Sequence, residues 1–184
     1  MQVGTAATGV TPPVGVPMGG LRTWRFAHGT HDPLLATAMV VEGDGGAVAL
    51  CGCDVVWFDD DLVATVRERV AERTDLDADA VLLGASHTHN GPALGPMVYP
   101  NVPREDVRRR LVDALVEMVV AAAADRRPAR VGAGTAHEAA LLENRRCEYR
   151  AQRDPTDRDD LLVQLDTGER PAPENVAAER VERE

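Results

Sequence analysis

The chain has 184 residues, of which 44% are hydrophobic and 27% charged, which is enough apolar material for one ordinary globular domain. Its formal net charge is −10, and this argues against a nucleic-acid partner, because binding to phosphates normally requires a basic surface. No run approaches the ~20 apolar residues of a membrane-spanning helix and no basic-then-apolar leader is visible, so we expect a cytoplasmic protein without a transmembrane segment.

The first half of the chain has a strand-rich pattern. Short apolar or alternating runs predict strands near residues 2–8, 34–41, 47–54 and 80–85. The glycine-rich residues 42–46 predict a hairpin turn between the second and third strands, so at least part of the sheet should be antiparallel. Cys51 and Cys53 lie two apart in the third strand, where small buried side chains are a better interpretation than metal ligands.

Two helices are predicted among these strands. Asp59, Asp60 and Asp61 are suited to a helix N-terminus, and apolar residues then recur at helical spacing up to Val70. A second helix is predicted from about Pro103 to Asp125, because apolar residues repeat along one face. The fold class is therefore α/β, with a mixed, partly antiparallel sheet and flanking helices.

Beyond residue 128 the pattern weakens. Residues 129–142 form a weaker β region, and residues 161–165 read as one more strand. Residues 169–184 are charged, interrupted by proline and poor in large apolar side chains, so we expect a disordered tail there.

His87 and His89 are the strongest chemical signal in the chain. They stand two positions apart at the end of the apolar run 80–84, and if strand geometry continued through them their imidazoles would point to one face. Neutral imidazole is a good zinc ligand, but a catalytic zinc site typically takes three protein ligands, so two histidines do not make one. A pair of hydrogen-bonded loop histidines is the alternative that spacing alone leaves open.

Several segments, taken in order, resemble the neutral, non-lysosomal ceramidase family. Residues 86–92 (SHTHNGP) are similar to its H-T-H-S-G-P segment, with Asn90 where the family usually has serine. Further similar segments are residues 3–7, 11–20 (TPPVGVPMGG), 31–34 (HDPL), 53–54 and 143–146 (ENRR). Together they cover roughly residues 1–166, which makes the resemblance more specific than any single motif.

The resemblance implies roles for particular residues. His87 corresponds to a zinc ligand, and His89 corresponds to a catalytic histidine beside the metal. His31, Asp32 and Asp54 are cavity candidates or partners of the ligating histidine, since such histidines usually donate their second N–H to a carboxylate or carbonyl. The family's other ligands (a second histidine, a glutamate and a tyrosine) and a serine with a role in amide cleavage have no counterpart in these 184 residues.

The implied activity is zinc-dependent hydrolysis of the N-acyl amide bond of ceramide or a related lipid or other amide, with Zn²⁺ as cofactor and a small-molecule substrate. Residues 1–168 are expected to be the incomplete N-terminal part of a larger catalytic domain, truncated and inactive alone. A non-catalytic relic or binding module is one alternative. A serine hydrolase using Ser86 is another, although residues 84–87 do not match the G-x-S-x-G elbow.

Overall fold

Five strands and two α-helices are present in the part of the chain that the computed structural model describes, residues 1–20, 25–95, 104–132 and 134–136. In chain order they are β1 (Gln2–Gly9), β2 (Leu35–Gly43), β3 (Gly46–Cys53), α1 (Asp60–Ala71), β4 (Val81–Ala85), α2 (Glu105–Ala124) and β5 (Arg127–Pro128), with one 3₁₀ turn at Ala78–Ala80. These elements lie in one compact unit within residues 1–132.

The strands form one mixed sheet in the order β4-β3-β2-β1-β5. β1, β2 and β3 pair antiparallel in sequence, and Gly43 lies opposite Gly46 at a tight hairpin. Gly46 has φ +116°, a conformation that glycine adopts without the steric cost of a Cβ. β4 pairs parallel to β3, which requires a crossover connection, and α1 lies within it. The predicted α/β class with a partly antiparallel sheet is confirmed.

The core lies between one face of the sheet and the two helices. Every second residue of β2 is buried, at Ala36, Ala38 and Val40, and these side chains pack in one cluster with Leu62 of α1 and Leu115 of α2. Buried residues recur every two positions on the strand and every three to four on the helices, because that is the spacing at which side chains fall on one face of each element. Cys51 and Cys53 belong to the same core, and burial raises the pKa of Cys51 to about 11 and contributes most to raising that of Cys53 to about 12.

Both helices begin within two residues of their predicted starts. Asp59 is the N-cap of α1 and accepts a hydrogen bond from the Leu62 amide at 2.8 Å. α2 begins at Glu105, and Pro103 lies outside the described residues. Neither α1 nor α2 is both long and apolar enough to cross a membrane.

The β region predicted at 129–142 contains no strand in its described part, residues 129–132 and 134–136. The two-residue strand β5 lies just before that region and pairs with the start of β1. The rest of the region predicted as β, the strand predicted at 161–165 and the tail predicted to be disordered at 169–184 lie outside the described residues.

Three arginines form ion pairs that join neighbouring elements. Arg69 of α1 reaches Asp113 of α2 at 2.8 Å, and Arg73, just after α1, reaches Glu117 of α2 at 2.5 Å. Arg108 of α2 is partly buried and forms a bidentate pair with Asp59. The two helices lie side by side, so these arginines meet carboxylates on a neighbouring segment.

The sheet face away from the helices is open and apolar. Leu35, Met39, Val48, Leu50 and Leu82 point to this side, with 36 to 57% of each residue exposed. The strand register aligns Thr5, Met39, Leu50 and Leu82 in a single row across β1 to β4. Within the described residues, one face of the sheet is therefore a core, and the other carries apolar side chains that remain partly exposed.

Candidate functional site

The histidine pair follows the point where the two parallel strands end. Cys53 at the end of β3 is paired with Ala85 at the end of β4, and the Ser86 amide donates to the Cys53 carbonyl at 3.0 Å. The chain after β3 continues to Asp54, and the chain after β4 continues to His87. The loops that follow neighbouring parallel strands lie at one edge of the sheet, where ligand sites of α/β proteins are commonly built.

His87 does not continue the strand. Its φ is +62°, a left-handed conformation uncommon for a residue with a Cβ, so the expectation that strand geometry carries both histidines onto one face is wrong. The Nδ1 atom of His87 lies 2.7 Å from the Val56 carbonyl oxygen. Because a carbonyl can only accept, Nδ1 carries the proton in this hydrogen bond, so Nε2 is the ring nitrogen that could bind a metal.

His89 nevertheless comes close to His87 by a different route. The two ring centroids are 5.1 Å apart, and the ring planes meet at 70°. The turn at His87 and the half-buried position of His89 bring the rings together. The sequence spacing therefore predicts the juxtaposition, although the geometry behind it is a turn.

The remaining candidates line one cavity beside this loop. The cavity has a volume of about 830 Å³. His31, Asp32 and Asp54 are on its wall together with Thr88 and Asn90 of the histidine loop. His28, which the sequence leaves unassigned, also lines it, whereas His87 and His89 do not. The three residues therefore lie in a cavity adjoining the histidine pair.

Each of these three side chains already has a local partner. Asp54 accepts a hydrogen bond from the Leu35 amide at 3.0 Å, which joins the end of β3 to the start of β2. His31 Nδ1 and Asp32 Oδ2 are 2.8 Å apart, and both side chains are almost fully exposed. Within the described ranges none of the three is hydrogen-bonded to His87, whose ring is held by a backbone carbonyl.

The donor set fits part of a zinc site. A histidine whose Nδ1–H is held by a carbonyl and whose Nε2 is free is the arrangement typical of a metal ligand. The described residues contain no group of three or more histidine, cysteine, aspartate or glutamate side chains that could hold a metal ion. The described part of the chain therefore supplies one imidazole whose Nδ1 is held by a backbone carbonyl and a second imidazole beside it.

Sequence reasoning missed two contributors to this arrangement. Val56 acts through its carbonyl, which every residue has, so no side-chain pattern could identify it. Gly20 lies against the His89 ring; its place in the Gly19-Gly20 pair was the only available signal. The Ser86 hydroxyl forms no hydrogen bond with either histidine ring in the described part of the chain, so the structure gives it no base.

Comparison with known proteins gives a fold likeness. No protein-family model matches this sequence, and no curated protein sequence matches it significantly. Among solved structures, the neutral ceramidase from Pseudomonas aeruginosa is similar with a TM-score of 0.60 and 22% sequence identity. The match covers 69% of this chain and 22% of the ceramidase chain, so this chain spans about a fifth of that protein's length. The mixed α/β fold described above is thus similar to part of a neutral ceramidase.

Proposed function

We propose that this chain is the N-terminal part of a zinc-dependent amide hydrolase in which His87 is a metal ligand and His89 a catalytic histidine. The observation that carries the proposal is the His87 ring, whose Nδ1 is held 2.7 Å from the Val56 carbonyl oxygen, which makes Nε2 the nitrogen that would bind the metal. The similar fold of a neutral ceramidase supports the same assignment. The remaining ligands would come from residues outside those described.

The strain at His87 supports a functional role for this loop. A positive φ at a residue with a Cβ costs of order 1 kcal/mol or more, and such residues persist where the surrounding structure fixes them, often at functional sites. The hydrogen bond to Val56 fixes this ring. The strained backbone of His87 therefore belongs to the same residue that we propose as the metal ligand.

The chemistry divides between the metal and the chain. When bound, zinc supplies a Lewis acid for the amide carbonyl and lowers the pKa of water toward ~7. His87 would hold the metal through Nε2. His89, whose ring centroid lies 5.1 Å from that of His87, would orient the reacting groups or move a proton, since an unperturbed imidazole has a pKa of ~6.5.

The adjoining cavity suits the organic part of a substrate. Its wall combines apolar side chains, including Val14, Phe26 and Leu34, with the polar His31, Asp32 and Asp54. A mixed lining of this kind can bury an apolar group and orient a polar one. We therefore assign the substrate class as an N-acyl amide, with ceramide as the example that the fold neighbour indicates.

The proposal is tested first by metal binding to the 184-residue chain. We expect Co²⁺, used as a spectroscopic substitute for Zn²⁺, to bind weakly at a single site, and His87→Ala to abolish that binding. His28→Ala is the control, because His28 lines the adjoining cavity but has no assigned role in binding the metal. Equal loss in both variants, or binding that survives His87→Ala, would contradict the ligand assignment.

Activity is the second readout. The 184-residue chain alone should not hydrolyse a fluorogenic N-acyl amide, because one prepared ligand does not hold a catalytic zinc. Sequencing the coding locus through and beyond the codon for Glu184 would show whether a histidine, a glutamate and a tyrosine follow. In any such longer product, His87→Ala should abolish hydrolysis. A longer product that stays fully active without His87 would refute the proposal.

A further inference from the structure

A short N-terminal segment, residues 17–20 (PMGG), lies against the loop that carries the histidines, residues 86–92. We call it the glycine strap. Met18 forms an isolated antiparallel bridge with Pro92, and the Gly19 amide donates to the Gly91 carbonyl at 3.0 Å. The Ala93 amide donates back to the Pro17 carbonyl at 2.9 Å. Backbone hydrogen bonds in both directions therefore fix the strap on the C-terminal side of the histidine loop.

Gly20 is in direct contact with the His89 ring. A Cβ placed on Gly20 would lie 2.6 Å from Cγ of His89 and 2.9 Å from both Cδ2 and Nδ1. All three distances are below the closest approach that carbon atoms tolerate. The ring thus lies on the bare Gly20 backbone, in space that any other residue would fill.

Gly19 contacts the support of the other ring. A Cβ on Gly19 would lie 2.9 Å from Cγ1 of Val56, and Val56 is the residue whose carbonyl holds His87. Val56 is buried, so its side chain has little room to move away. The strap therefore contacts the His89 ring through Gly20 and, through Gly19, the residue whose carbonyl holds the His87 ring.

From these contacts we infer that Gly20 is a positioning residue, and that the glycine strap sets the separation and angle of the His87 and His89 rings. The catalytic consequence of this inference rests on the proposed function. The positioning itself does not, because it concerns the protein without metal or substrate.

The chain offers a matched control for Gly20. Gly15 has φ +81° and Gly20 has φ +86°, so both lie in the positive-φ region, where alanine is strained. A Cβ on Gly15, however, would meet nothing within 4 Å. Comparing Gly20→Ala with Gly15→Ala therefore cancels the backbone effect and leaves the contact with the ring.

The test measures the imidazole signals of the metal-free chain by NMR. In the wild type we expect a nuclear Overhauser effect between the Gly20 Hα and the His89 ring. Gly20→Ala should remove it and shift the His89 ring signals, whereas Gly15→Ala should leave both unchanged. Ring signals that stay in place in Gly20→Ala, or that move equally in the two variants, would overturn the inference.

A double variant separates ring contact from general loss of folding. If the cost of Gly20→Ala comes from the ring, it should largely disappear in a His89→Ala background, so that the melting temperature of the double variant falls no further below His89→Ala than Gly15→Ala falls below wild type. A melting temperature lowered equally by Gly20→Ala in both backgrounds would refute the inference.

Metal binding keeps the inference and the proposed function distinguishable. Because His87, and not His89, is the assigned ligand, Co²⁺ binding tests the ligand assignment, whereas the His89 ring signals test the role of Gly20. If the wild type binds no metal, the ligand assignment fails while the NMR comparison still decides the role of Gly20.

Discussion

Asp59 has two roles at one position. Its carboxylate caps α1 through the Leu62 amide, and it pairs with the Arg108 guanidinium, which also donates to the Leu94 carbonyl at 2.8 Å. The hydrogen bond from Arg108 is the main reason that the pKa of Asp59 lies below its usual value. One side chain therefore joins the start of α1 to α2 and to the segment that follows the histidine loop.

Replacing Asp59 by asparagine should separate these roles. Asparagine is as good an N-cap as aspartate, so Asp59→Asn should lose only the charge pair, at about 1–3 kcal/mol of unfolding free energy for a partly buried pair. Asp59→Ala should cost about 1 kcal/mol more, because the cap is lost as well. Urea unfolding at pH 7 measures both differences.

The same pair predicts a pH dependence. A depressed carboxyl pKa contributes stability that is complete above the unfolded value of ~3.9 and is lost as the pH falls through the folded value. The stability difference between wild type and Asp59→Asn should therefore be constant above pH 5 and shrink at lower pH. A difference that stays constant down to pH 2 would show that the charge of Asp59 contributes nothing.

At the residue scale, the sequence predicted side chains better than it predicted contacts. His87 and His89 were identifiable because imidazole chemistry and spacing are written in the sequence. Val56 and Gly20 were not, because one acts through its carbonyl and the other through a missing side chain. Their roles depend on segments that lie 31 and 69 residues away from their histidines and meet only in the folded chain.

Adjacent residues of β2 test the two-sided character of the sheet. Val40 is fully buried beneath the helices, and Met39 points to the open face. Val40→Ala should lower the unfolding free energy by about 2 kcal/mol, because it removes buried methyl groups and leaves a cavity. Met39→Ala should cost less than Val40→Ala, since Met39 lies on the open face, where its removal leaves no enclosed cavity. Equal losses for the two variants would contradict the assigned faces.

The element scale shows where sequence patterns suffice. The β2–β3 hairpin was predictable because its turn chemistry and its strands lie within 20 residues of each other. The ion pairs between α1 and α2 were not, since a charged face looks the same in sequence whether it meets water or an oppositely charged helix. Arg69 and Asp113 are 44 residues apart, and only packing brings them together.

At the scale of the molecule, the open sheet face is the main apolar surface that the described residues present. It presents the apolar row of Met39, Leu50 and Leu82 in a chain whose net charge is −10. Contiguous exposed apolar surface of this kind tends to drive association or to bind apolar dyes. The fold therefore carries an apolar surface on the side opposite its core.

Polar substitution of this face should change solution behaviour more than stability. In a Leu50→Thr/Leu82→Thr variant, threonine keeps the strand preference and removes apolar surface. We expect lower fluorescence of an apolar dye and weaker concentration-dependent association, with the unfolding free energy changed by less than about 1 kcal/mol, as for substitutions outside the core. Dye titration and sedimentation measure the first two; unchanged values in both would mean that the face is not accessible in solution.

What the sequence determined by itself is local: the α/β class, the hairpin, the bounds of α1 and the histidine pair follow from periodicity, turn chemistry and capping within short windows. The tertiary structure decided what depends on distant segments: the left-handed turn at His87, the carbonyl that orients its ring, the glycine beneath His89 and the uncovered face of the sheet. The physical reason is that a backbone carbonyl, or the space left by a glycine, acquires a role only when packing places a particular neighbour beside it.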